Sequence, residues 1–132
     1  MAGEVCLTQA KAGELSTFLA PSPRVQIDRL MSSFIDETRM KRAKEIPDGD
    51  LKLIMDTKER VEVQVRDYQV VIDLGKREIL HDCPDWDRRA PNLQFCKHIA
   101  KLILFLSEER SEAIIQKLSS EKDRWSFRTL GR

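Results

Sequence analysis

Histidine and cysteine are scarce in this chain of 132 residues, with two of the first and three of the second. Low-complexity tracts and internal repeats are missing altogether. The longest nearly unbroken apolar run, residues 99–106, falls far below the ~18 residues a bilayer-spanning helix needs. The opening MAGEVCLTQAKAGEL has no apolar middle of the kind a signal peptide carries. Charge of one sign is lacking too: 23 basic and 22 acidic side chains leave a formal charge of +1. No large field therefore draws the chain to nucleic acid or an anionic membrane, and any such contact must come from a local patch. Three cysteines cannot all pair within one chain, and a reducing compartment keeps thiols available for metal. The expectation is an intracellular protein, in the cytoplasm or nucleus, with enough apolar content (41%) for one compact core.

What is present is a change of hydrophobic period along the chain. Leu7, Ala10, Leu15, Phe18 and Leu19 fall loosely at helical spacing before the breaker APSP. Ile27, Leu30, Met31, Phe34, Ile35 and Thr38 then follow one helical stripe, predicting a single helix that runs to the turn signal Pro47-Asp48-Gly49-Asp50. Beyond it the period becomes two. Leu51, Leu53 and Met55, then Val61, Val63 and Val65, predict half-buried strands. The alternation resumes on even numbers at Tyr68, Val70, Ile72 and Leu74, so a bulge or tight turn belongs at Arg66-Asp67. Gly75-Lys76 offers a hairpin turn, and a returning strand places Ile79, His81 and Cys83 on one face. A loop with Pro84 and Pro91 follows. Residues 96–109 read as a helix that is apolar around most of its circumference, and residues 111–120 as another carrying Ile114, Ile115 and Leu118.

Both histidines and two of the three cysteines fall in one pattern, H-x-C, twelve residues, C-x-H. Thiolate sulfur and imidazole nitrogen are the donors zinc takes in a tetrahedron, and four protein ligands close the site to substrate, as in structural zinc. Residues two apart share a face in a strand but diverge by ~200° in a helix. Hence His81 and Cys83 belong at a strand end, and Cys96 just before a helix with His98 in its first turn. There the helix dipole favours the Cys96 thiolate. The alternative is that Cys83 and Cys96 are merely small buried residues with the histidines satisfied elsewhere. A Cys96–His98 catalytic dyad explains only two of the four residues. A zinc deaminase needs glutamate two residues after the histidine, where Cys83 stands. Cys6 stands alone and is read as an idle thiol. Without a P-loop, an open metal position or a credible carboxylate pair, the chain is expected not to be an enzyme.

With this layout, YQVVIDLGKREILHDCPDWDRRAPNLQFCKHIAKLILFL resembles the SWIM zinc finger, whose motif is C-x-C, a variable loop and C-x-H on a strand-strand-helix unit. The resemblance covers residues 51–106 at most. It implies one structural zinc with Cys83, Cys96 and His98 as ligands. His81 stands where the family usually has cysteine; two thiolates and two imidazoles make the site formally neutral and more acid-labile, with water, Asp82 or Asp85 as substitutes for the fourth ligand. The resemblance also implies a DNA-binding or protein-interaction module, and the small size and layout are similar to partners of RecA-family recombinase paralogues.

The expected fold is α+β: N-terminal helices (residues 1–50), a small antiparallel sheet with the zinc-stapled unit (51–110), and a C-terminal helix and tail (111–132). Two readings of function follow. In the first, the chain is an accessory subunit in DNA recombination or repair. It binds a RecA-like ATPase through the apolar surplus on residues 99–106, Ile114, Ile115 and the Trp125–Phe127 tail. In the second, a transcriptional or mobile-element factor contacts DNA through Arg88, Arg89, Lys97 and Lys101. Solvated surface charge, offset by Asp82, Asp85, Asp87 and Glu45, is the plainer reading of those cations and of Arg39, Lys41, Arg42 and Lys44. A tail that folds Trp125 back onto the core is the plainer reading of the aromatics.

Overall fold

The computed structural model describes residues 22–130; the expected first helix and Cys6 lie outside them. Helices α1 (Pro23–Met31) and α2 (Glu37–Glu45) lead into the strands β1 (Leu51–Asp56), β2 (Arg60–Val65), β3 (Tyr68–Asp73) and β4 (Glu78–His81). Then come α3 (Pro84–Arg89), α4 (Lys97–Phe105), α5 (Glu108–Ser120) and a last strand, β5 (Ser126–Thr129). The fold is α+β. The strands form one sheet in the order β1-β2-β3-β4-β5, antiparallel except for the parallel pair β4 and β5. A parallel neighbour needs a long crossover, and α3, α4 and α5 supply it.

Register explains which side chains meet. Val63 faces Val70, Val70 faces His81 and His81 faces Thr129; Val61, Ile72, Ile79 and Phe127 form the row beside it. These residues share one side of the pleat, and their apolar members join Ile27, Met31, Phe34, Ile99, Leu102, Ile103, Ile114, Ile115 and Leu118 in the core. The opposite face carries Glu62, Gln64, Gln69, Glu78 and Arg128. His81 thus projects into the core side of the sheet, fully buried.

The phase slip after Val65 is a two-residue turn: Val65 pairs with Tyr68, and Arg66 takes the left-handed conformation at φ 57°. Between β3 and β4 the connection is longer than a Gly75-Lys76 turn, because Asp73 pairs with Glu78 and Arg77 holds the left-handed position. The Asp73 carboxylate stabilises it by accepting the Lys76 amide at 2.9 Å.

The single helix expected over the Ile27 stripe is two. Asp36 caps α2, its Oδ1 accepting the Arg39 amide at 2.8 Å, and so competes with continuation of α1. The break also frees carbonyls for distant partners. Phe34 accepts the Phe95 amide at 2.6 Å, and Ser33 accepts the Gln94 side-chain amide at 3.1 Å. Ile27, Met31, Phe34 and Ile35 are buried as the stripe requires, whereas Thr38, now on α2, is exposed. Burial also departs from alternation on β1. Leu51 is buried, but Leu53, Ile54 and Met55 are 46%, 50% and 39% exposed. β1 is a sheet edge, and the register shift between Leu53 and Met55 marks a bulge at Ile54, a device that spoils edge-to-edge pairing.

The proline loop after Cys83 is also ordered into α3 and a 3-10 turn, Ala90–Asn92. Trp86 on α3 is fully buried. The apolar circumference of α4 is covered within the chain, by α2 on one side and α5 on another. Among the described residues, no helix is long and apolar enough to cross a membrane.

Candidate metal centre

The sheet and the two helix starts bring His81, Cys83, Cys96 and His98 to one point, with one ligand atom of each lying within 4.8 Å of every other. His81 ends β4. Cys83 is the N-cap residue of α3, extended at φ −83° and ψ 155°, and its sulfur accepts the Trp86 amide at 3.3 Å. Cys96 is the N-cap residue of α4, with His98 in the first turn. All four are buried, His98 the most accessible at 5%. His81 at the strand end and Cys96 and His98 at the helix start stand where the i, i+2 spacings require, whereas Cys83, expected on the returning strand, lies two residues beyond β4 as the extended N-cap of α3.

The geometry suits a small tetrahedral ion. Metal–nitrogen bonds of about 2.0–2.1 Å set two nitrogens about 3.3 Å apart, and a metal–sulfur bond of about 2.3 Å sets sulfur and nitrogen about 3.6 Å apart. His81 Nε2 and His98 Nδ1 are 3.3 Å apart, and Cys96 Sγ lies 3.9 Å from His98 Nδ1. The outer contacts aim the donors. His81 Nδ1 donates to the Gln69 carbonyl at 2.6 Å, leaving the Nε2 lone pair directed at the other ligands. Asp82 accepts the Gln69 amide at 3.1 Å, so consecutive side chains grip both polar groups of one residue on β3.

As thiols the two cysteines act as a pair. The hydrogen bond from Cys96 holds Cys83 well below the usual thiol range, with His81 and His98 adding to the effect, while burial pushes Cys96 up. One negative charge is therefore readily present, and a cation between the sulfurs is what stabilises the second.

Aromatic rings wall the centre. Tyr68 lies 5.2 Å from the His98 ring, and Trp86 lies 6.0 Å from His81. Trp86 stacks on Phe127 at 5.3 Å and donates its indole N–H to the Arg128 carbonyl at 2.8 Å, while Phe127 continues to Phe95 and Phe34. Sequence reasoning did not assign Trp86, Tyr68 or Phe95 to the site. The signal for Trp86 was its position three residues after Cys83, where the Cys83 N-cap receives its amide.

The expected contact residues separate into two groups. Arg89 is paired with Asp36 at 2.7 Å, and Lys101 is buried against Asp48 at 2.6 Å. Trp125 is 5% exposed, and Phe127 is a half-buried strand residue; both belong to the core, as do Ile114 and Ile115. They are not surface anchors, because β5 pairs with β4 and draws the tail into the sheet. Arg88 and Lys97 remain. With Arg42 they have no hydrogen-bond or ion-pair partner among the described residues, and all three line one cleft beside the centre. Comparison with protein-family models, curated proteins and solved structures finds no match.

Proposed function

We propose that the chain is a SWIM-type interaction module with one structural zinc, acting inside the cell as a non-enzymatic accessory subunit of a RecA-family ATPase in DNA recombination or repair. The observation that carries this reading is the closed donor set. Two cysteines and two histidines, all buried and with one ligand atom each within 4.8 Å of the others, would fill a tetrahedron and leave no position for substrate, so in this reading the metal contributes folding free energy. A tetrahedral set of two sulfurs and two nitrogens is a geometry typical of zinc.

With the tail and α4 committed to the core, the partner surface in this reading is β1, where Leu53, Ile54 and Met55 are exposed together. The test uses the full chain and a purified RecA-family ATPase paralogue from the same cell. Co-elution in size-exclusion chromatography, lost in Leu53→Asp with Met55→Asp while zinc content stays at one per chain, supports the reading. A zinc-loaded parent that elutes apart from every such paralogue overturns it.

A further inference from the structure

The two sulfurs of the metal centre sit on different arms of the fold and differ in what reaches them. Cys83 follows β4 and opens α3, whereas Cys96 opens α4. Each arm also supplies one imidazole, His81 two residues before Cys83 and His98 two residues after Cys96. Because histidine holds position 81, the four residues contain one thiol per arm, and the single disulfide they can form crosses between the arms. The sulfurs lie within 4.8 Å of each other, and both residues have extended backbone at a helix cap. A disulfide holds its sulfurs about 2.05 Å apart, so a closure of less than ~3 Å joins them. Access is unequal. A surface cleft of about 390 Å³ is lined by Arg88, Lys97, His98 and Cys83, and by neither Cys96 nor His81, which are fully buried. Cys83 is nearly as buried, yet it is the thiol that borders the cleft.

A small oxidant entering by the cleft therefore meets Cys83 first, with Cys96 directly behind it. One attackable sulfur backed by a second that can displace the oxygen is the arrangement of a redox-sensing pair. We infer that Cys83 and Cys96 form a reversible redox switch, in which a hydroperoxide such as hydrogen peroxide converts them to one disulfide and releases the metal. The inference rests on the metal reading of the four residues. In the first step the Cys83 thiolate attacks one peroxide oxygen, the O–O bond breaks, and hydroxide leaves a sulfenic acid on Cys83. In the second, the Cys96 thiolate attacks that sulfur, the S–S bond forms, the S–O bond breaks and a second hydroxide leaves. Two protons from solvent turn both hydroxides to water. The cysteines lose two electrons and the peroxide gains them, while the ion keeps its charge and loses two of its four donors. The disulfide still staples α3 to α4, which holds the ligands near one another for reassembly on reduction, whereas His81 and His98 are no longer joined.

The experiment uses the full chain carrying Cys6→Ser, so that no third thiol competes, with its zinc content measured by elemental analysis before oxidation. Hydrogen peroxide is then added, and a chromophoric chelator reads the zinc released. One zinc is expected to leave per disulfide formed, with the intact mass about 2 Da below that of the reduced metal-free chain and a peptide map joining Cys83 to Cys96. Dithiothreitol followed by fresh zinc is expected to restore both thiols and the original metal content. With a sulfenic-acid trap present during oxidation, Cys83 should carry at least ~10-fold more label than Cys96. Zinc retained under peroxide that fully oxidises free cysteine, over-oxidation of either sulfur without a disulfide, or label chiefly on Cys96 overturns the switch and leaves the metal reading intact. A chain that holds no zinc before oxidation overturns the metal reading and this inference with it.

Discussion

His81 Nδ1 donates to the carbonyl oxygen of Gln69 at 2.6 Å, on the strand paired with its own. This bond selects the tautomer whose Nε2 faces Cys96 and His98, so the β3–β4 ladder itself orients the first donor of the metal set.

His81→Ala is therefore expected to lower metal affinity by at least ~10–100-fold, the loss typical of removing only an outer partner of a ligand. His81→Cys is expected to retain metal, losing the Gln69 contact but adding a thiolate. Competition with a chromophoric chelator measures both. Equal retention by His81→Ala and the parent would remove His81 from the ligand set.

Metal removal is expected to lower the unfolding temperature and to loosen the join between the β3–β4 hairpin and α3 and α4. Hydrogen exchange locates the effect: amides of residues 81–98 should lose protection before those of β2. A chelated chain with unchanged Tm and unchanged exchange would show that the centre contributes nothing to folding.

Asp36 caps α2 and bonds to Arg39 at 3.0 Å and Arg89 at 2.7 Å; the Arg39 amide and these partners hold its pKa at about 2, below the ordinary 3.8. A carboxylate depressed in the folded state stabilises above its unfolded pKa and loses that contribution as pH falls through the folded one. Asp36→Ala should cost about 1 kcal/mol near neutral pH, typical of a lost N-cap. The gap between parent and variant in urea denaturation should be constant above about pH 5 and close progressively as pH falls from there through about 2. A gap that widens in acid would contradict the assignment.

Trp86→Ala should cost about 3–5 kcal/mol, since it empties a fully buried ring that packs on Phe127 and touches the His81 ring. Trp86→Phe keeps most of the volume and loses the bond to the Arg128 carbonyl, so a cost of about 1–2 kcal/mol is expected. Denaturation followed by circular dichroism distinguishes the two. If both variants lost equal stability, the indole's hydrogen bond and not its bulk would be the dominant contribution.

Lys101→Met tests the energetic role of a buried cation. Lys101 is held by Asp48, whose own carboxylate is largely exposed and stays hydrated without the pair, so replacement by an apolar side chain of similar length should leave stability within ~1 kcal/mol. A loss of ~3 kcal/mol or more in urea denaturation would show that the ion pair itself holds α4 in place.

The four residues of the candidate metal centre were legible in the sequence because their spacing rests on local rules: residues two apart share a face in extended backbone, and a helix start places Cys96 and His98 together. An interruption at Arg66-Asp67 was legible for a similar reason, since a slip of one residue in a period of two requires a bulge or a tight turn, and the pairing of Val65 with Tyr68 decides for the turn. What the sequence by itself determined was therefore the α+β class, the order of most elements and the four residues of the centre. The tertiary structure alone decided which charges and apolar side chains remain free. Arg88 and Arg89 are neighbours in the chain, yet only Arg89 meets Asp36, 53 residues away in sequence. Trp125 lies in a polar tail, yet the parallel pairing of β5 with β4 draws that tail into the sheet and buries it. The helical stripe from Ile27 to Ile35 reads as continuous, yet Asp36 restarts the helix and Phe34 turns its carbonyl to Phe95. Such outcomes depend on partners far along the chain, and no local periodicity encodes them.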